Sequence, residues 1–164
     1  MFRPMRRARQ ALPESVCARI LARGTSGVLA VLGDEGYPYA VPLSYHYEAG
    51  RIIFHCARQG HKLDAIRRCP RASFCVIDQD RVAPEKYTTL YRSVIAFGTL
   101  RELTDEAEKR AAVEALGRKY APHGPEAALQ AEIDREWPGL CVLEMTVLHL
   151  TGKQGRELVG RPAE

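Results

Sequence analysis

Hydrophobic and polar positions alternate most cleanly over residues 37–47. Tyr37, Tyr39, Val41, Leu43, Tyr45 and Tyr47 fall on one face, and Pro38, Ala40, Pro42, Ser44 and His46 on the other. That two-residue period predicts a strand. Pro42 removes a ladder donor, so the strand belongs at an edge or a bulge. Backbone groups left free beside it can pair with the rim of a planar heterocycle. Gly33-Asp34-Glu35-Gly36 and Glu48-Ala49-Gly50 read as turns on either side. They lead to strands over 27–32 and 51–57. Further apolar runs predict strands over 72–77, 89–103 and 140–150, with Gly98 marking a bulge or bend. The polar stretch 78–87, which contains Pro84, reads as a loop. Helical spacing appears over 13–23, where Val16, Ile20 and Leu21 form a stripe between Pro13 and the stop at Gly24. It recurs from His61 to a boundary near Cys69-Pro70, over 105–120 and over 125–135. Thr104 is the expected cap of the 105–120 helix, whose acidic start and Arg118-Lys119 end suit the helix dipole.

Six strands, joined early by hairpins and later by helices without βαβ alternation, predict a mainly β, α+β fold. Its expected form is a small six-stranded antiparallel barrel with flanking helices. No repeat or linker interrupts it. The expected organisation is a mobile basic arm over 1–12, one domain over 13–153 and a polar tail over 154–164. A chain of 164 residues suits one domain, and 46% hydrophobic residues supply a core. The net charge is +4, and Arg3, Arg6, Arg7 and Arg9 carry much of that excess in the first ten residues. This reads as a solvated tail, not a nucleic-acid arm. The five cysteines are odd in number and form no CxxC. They read as reduced core thiols of a cytoplasmic protein. The start lacks the apolar region of a secretory signal, and no apolar stretch is long enough to span a membrane.

Candidate chemistry concentrates in FHCARQGHKLDAIRR, residues 54–68. A strand ends at His55-Cys56-Ala57, a turn ends at Gly60, and His61 and Lys62 open a helix. The first amides of a helix have no internal partner, so this is a plausible site for an anion, to which Lys62 adds a full charge. A phosphate on a small ligand fits better than nucleic acid, because the surroundings are compact and apolar. His55 and Cys56 point to opposite faces of their strand and cannot easily share one metal ion. Cys56 goes with Ile52 and Phe54 to the core. His55 goes with Ile53 and Ala57, either as a half-buried structural histidine or toward a ligand. No nucleophile elbow, Walker loop or dinucleotide fingerprint occurs. In Tyr91-Arg92-Ser93-Val94 the sequence leaves two readings open: a surface arginine paired with an acid, or a second contribution to ligand binding.

The strings GDEGYPYAVPLSYHY, IIFHCARQGHKLDAIRR, EKYTTLYRSVIAFG and LTGK, in this order over 24–153, resemble one family. It is the pyridoxamine 5′-phosphate oxidase-like FMN-binding split barrels, and within it the branch related to nitroimidazole-resistance (Nim-type) proteins. The resemblance implies a six-stranded split β-barrel, a homodimer, and FMN in a groove at the subunit interface. Val41, Pro42 and Leu43 would then lie along the isoalloxazine ring, and His55, Cys56 and Ala57 beside it. Gly60, His61 and Lys62 would hold the phosphate, and Arg92 and Ser93 would complete the groove. The tryptophan–arginine signature of true pyridoxamine phosphate oxidases is missing, because Trp137 is followed by Pro138. The implied activity is therefore an FMN-dependent oxidoreductase that reduces a small electrophilic acceptor such as a nitro-aromatic, with His55 at the reacting site. A non-catalytic flavin carrier or sensor and a haem-binding split barrel are the alternatives.

Overall fold

Eight strands form one antiparallel sheet in the computed structural model, which describes residues 2–161. The strands are β1 (Ala11–Leu12), β2 (Ser26–Leu32), β3 (Pro38–Ser44), β4 (His46–Glu48), β5 (Arg51–Ala57), β6 (Arg71–Ala83), β7 (Thr88–Glu102) and β8 (Leu140–Gln154). The helices are α1 (Glu14–Arg23), α2 (His61–Arg68), α3 (Glu106–Tyr120) and α4 (Glu126–Glu136). The sheet order is β3-β2-β6-β7-β8-β5-β4, with β1 pairing with β8 off that path.

The expected six strands become eight for two reasons. The two-residue β1 is an addition, and the alternating run 37–47 is two strands, not one. The run breaks at Tyr45, which is fully buried against Phe74, the ring centroids 4.8 Å apart. Its backbone is served by a side chain from α3. Tyr45 N–H donates to the Tyr120 hydroxyl at 2.9 Å, and that hydroxyl lies 3.1 Å from Tyr45 O. β3 and β4 therefore sit at opposite ends of the sheet order although one residue separates them. The two sheet edges converge at this corner. The curled sheet resembles a split barrel, but no ladder joins β3 to β4 and the sheet does not close.

The expected loop over 78–87 is mostly strand. β6 continues to Ala83, paired with the first half of β7, after a register shift between Ile77 and Gln79. The shift sets Asp78 apart, where it receives a bidentate pair from Arg23 at 2.7–2.8 Å. Backbone pairing to a long neighbour outweighs the polar composition here. The turn itself is Pro84–Lys86. The cap of α3 is Asp105, not Thr104: its side chain accepts from Glu108 N at 2.8 Å. Gly98 does mark a register shift between β7 and β8, and a Cβ there would collide with Thr146 O.

The concave face of the sheet encloses the main core, built around Leu29, Phe54, Phe74, Val94 and Met145 and closed by Ile20 and Leu21 of α1 and Leu63 of α2. A second cluster packs Val113 of α3 and Ile133 of α4 against Ile53, Leu140 and Val142. β5 is thus buried on both faces through its middle. The segment before α1 meets β8 at both of its ends. The Phe2 ring stacks on His149 with centroids 4.5 Å apart, and Ala11 and Leu12 pair with Lys153 and Gly152.

Candidate functional site

The end of β5 and the start of α2 meet as the sequence predicts. Gly60 caps α2 at φ 130°, a backbone that favours glycine. Its carbonyl accepts from Leu63 N at 2.9 Å and Asp64 N at 3.2 Å. The His61 and Lys62 amides precede the first helical bonds and have no partner within the helix. The His61 ring turns away toward the β2–β3 hairpin. It stacks on Tyr39 at 4.2 Å, and its Nε2 lies 3.3 Å from an Asp34 oxygen. Arg68 holds the other Asp34 oxygen at 2.6 Å. What α2 offers an anion is therefore its free amides and Lys62, with the His61 side chain fixing the hairpin. Sequence reading did not single out Tyr39 or Asp34; nothing local marks them, because the contacts are long-range.

Lys62 is half-buried and close enough to bear on both His55 and Cys56. His55 keeps an exposed edge, but partial desolvation of its ring first, and the Lys62 charge second, hold the imidazole below its ordinary range. His55 is therefore neutral near pH 7. Burial pushes the Cys56 thiol up, opposed by Lys62. Cys56 stands directly opposite Cys141. Burial pushes Cys141 up to about 12. Both are protonated core thiols.

His55 lies on the face of Ile53, as strand alternation predicts. It lines a cleft of about 410 Å3 between the sheet and α3–α4, together with Ser44, Leu116, Tyr120, Leu129 and Ile133. The stripe of Leu129 and Ile133 is visible in the sequence; its use as the roof of this cleft is not. Val41 and Leu43 pack inward against the main core. Pro42 is exposed opposite Val28 on β3, which is an edge strand with one side of its backbone open. Among the described residues no three His, Cys, Asp or Glu side chains are placed to hold a metal ion. No helix among them is long and apolar enough to cross a membrane.

Arg92 and Ser93 lie elsewhere. Arg92 is 4% exposed and stands 3.6 Å from Asp78. Ser93 is opposite Lys153. His55 pairs with Val142 and Arg92 with Gln154, near opposite ends of β8. Those two partners are twelve positions apart on β8. Arg92 faces Asp78 and is not among the residues that line the His55 cleft.

The sequence model of one family, described as pyridoxamine 5′-phosphate oxidase, matches residues 13–154. No functionally curated protein matches the chain. Among solved structures, the chain is similar to a conserved hypothetical protein from Mycobacterium tuberculosis, at TM-score 0.80 and 19% identity, over 98% of this chain and 96% of that one. It is also similar to a putative 5-nitroimidazole antibiotic resistance protein from Bacteroides thetaiotaomicron, at TM-score 0.73 and 19% identity, over 88% and 86%. A third similar structure is an FAD-binding protein from Mesorhizobium loti, at TM-score 0.61 and 22% identity, over 89% and 97%. At these identities the structural likeness speaks for the fold.

Proposed function

The chain belongs to the pyridoxamine 5′-phosphate oxidase family, and from that premise we propose that it is an FMN-binding oxidoreductase acting on a small electrophilic acceptor. The observation that carries this reading is the convergence at the end of β5. Free helix amides, Lys62 and a neutral His55 meet there beside an apolar cleft. These groups fit a flavin phosphate. Helix amides and an ammonium suit a dianion, and Gly60 leaves open space where a Cβ would stand. The open edge of β3 at Val41, Pro42 and Leu43 fits the polar rim of the ring system.

Flavin, when bound, supplies the electron-transfer chemistry. The chain supplies binding at Lys62 and the α2 amides, orientation at His55, and exclusion of water by α3 and α4. Because His55 is neutral near pH 7, its N–H is suited to donate a hydrogen bond to an acceptor oxygen, such as one of a nitro group. Cys56 lies on the core face and takes no part. The nitro-aromatic class is supported by the sequence resemblance to Nim-type proteins and by the similar resistance protein from B. thetaiotaomicron. The absence of Arg92 and Ser93 from the lining of the His55 cleft supports a site shared by two protomers, with Arg92 and Ser93 of one chain completing the groove of the other. FAD is the second reading, favoured by the similar FAD-binding protein from M. loti.

The test is the absorbance spectrum of purified protein, chromatography of the released flavin, and NADH- or NADPH-driven reduction of a nitroimidazole. FMN, or uptake of it by apo-protein, is expected. Lys62→Ala should weaken its binding by about 1.5–3 kcal/mol through loss of a charge-assisted contact. Folded apo-protein that takes up neither flavin in calorimetry would sink the reading.

A further inference from the structure

A cleft of about 840 Å3 opens at the other end of β8 from His55, between the N-terminal segment, the start of β7 and the chain after β8. Arg6, Arg7, Arg9 and Arg156 line it. Elsewhere Arg23, Arg67 and Arg101 hold Asp78, Glu102 and Glu144. The four cleft arginines have no carboxylate partner among the described residues. Lys153 adds a fifth cation close by, 5.5 Å over the Tyr91 ring of the lining. Glu157 is the single acid of the lining.

A second observation points to a ligand. Gln10 belongs to the same lining and is only 8% exposed, yet its Oε1 accepts no hydrogen bond among the described residues. A buried amide carbonyl without a donor is costly. Because Oε1 is itself enclosed, a ligand N–H or O–H removes that cost once the amide rotates toward the cleft. The segment bearing these groups is anchored at both ends, by the Phe2 ring on His149 and by β1 on β8.

We propose that this cleft binds a nucleoside diphosphate. Its volume exceeds the needs of a lone phosphate and falls within the roughly 300–1,000 Å3 of small-molecule sites. Guanidinium forks match phosphate oxygens in pairs. Tyr91 and Val159 offer apolar wall to a sugar or base, and the Gln10 amide, rotated toward the cleft, accepts from an exocyclic amine or a ribose hydroxyl. The concave form suits a compact anion better than a nucleic-acid strand. Free nucleotide and the ADP half of FAD share this chemistry, and the experiment separates them.

The experiment is calorimetry of the full chain with ADP, FAD and FMN as separate titrants at about 0.1 M salt, where exposed charges are partly screened. ADP should bind. FAD competing with ADP identifies the dinucleotide as the source, and its failure to compete identifies free nucleotide. Arg9→Glu and Arg156→Glu should each weaken ADP binding about tenfold or more, because each replaces a charge-assisted contact by repulsion. Circular dichroism should show these exposed-site variants folded. Lys62→Ala should leave ADP binding unchanged, which keeps this cleft distinct from the α2 site whether or not that site holds flavin. Absence of ADP binding by the wild-type chain, or wild-type ADP affinity in both charge-reversal variants, overturns the proposal. So does displacement of ADP by a single-stranded oligonucleotide at lower concentration.

Discussion

At His55 two physical effects act in one direction. Burial and the Lys62 charge both disfavour the imidazolium, so the folded pKa lies below the unfolded value of about 6.5. Between the folded and unfolded values the unfolded chain binds more protons, so stability falls as pH drops through that window. The expected outcome is a urea midpoint that declines below about pH 6.5 more steeply in wild type than in His55→Gln; equal slopes would show that His55 is not the titrating group. His55→Ala, which removes the donor that glutamine would keep, tests the chemistry. At matched flavin occupancy, single-turnover reduction of a nitro-aromatic should slow by about 10²-fold or more if His55 touches the acceptor. An unchanged rate would favour a non-catalytic flavin protein.

At the scale of elements, the corner between β3 and β4 depends on one side chain from α3. Tyr120 Oη meets Tyr45 N, Tyr45 O and Thr25 O. Its neighbour Lys119 donates to Gly24 O at 2.5 Å and stands 4.2 Å over the Tyr45 ring. α3 thus pins the place where the sheet edges converge, and also roofs the His55 cleft. Tyr120→Phe would leave the Tyr45 backbone without these partners at little change in volume. It should cost about 1–3 kcal/mol in chemical denaturation. It should also broaden the cleft enough to raise KM for a bulky acceptor. A variant as stable as wild type would show that solvent or another group replaces the hydroxyl.

At the scale of the molecule, the outer sheet face carries apolar side chains that one chain leaves uncovered. Leu32 is 50% and Leu148 is 61% exposed, and both line a groove of about 650 Å3 with Phe97 and Phe2. Patches of this kind mark association surfaces. With Arg92 outside the lining of the His55 cleft, a two-fold dimer is the arrangement that would complete the proposed flavin groove. Sedimentation should show a dimer. Leu32→Asp combined with Leu148→Asp should shift it toward monomer and lower flavin retention together, since ligand and assembly would be linked. A stable wild-type monomer that retains flavin would refute the shared site.

Much of this was legible because the signals are local. Apolar runs and one stretch of period-two alternation located the strands, Pro42 forecast an edge, Gly98 forecast a register shift, and Gly60-His61-Lys62 forecast a helix start with free amides. Each follows from the backbone chemistry of one residue or from the pleat of one segment. The tertiary structure decided the rest. It broke an unbroken alternation at Tyr45, because a hydroxyl from Tyr120, seventy-five positions away, replaces a strand neighbour. It drew the polar residues 78–83 into β6, because β7 was long enough to pair with them. It brought arginines from both ends of the chain around one cleft. Those outcomes depend on which distant segments become neighbours, and neither residue type nor periodicity along a single stretch encodes that.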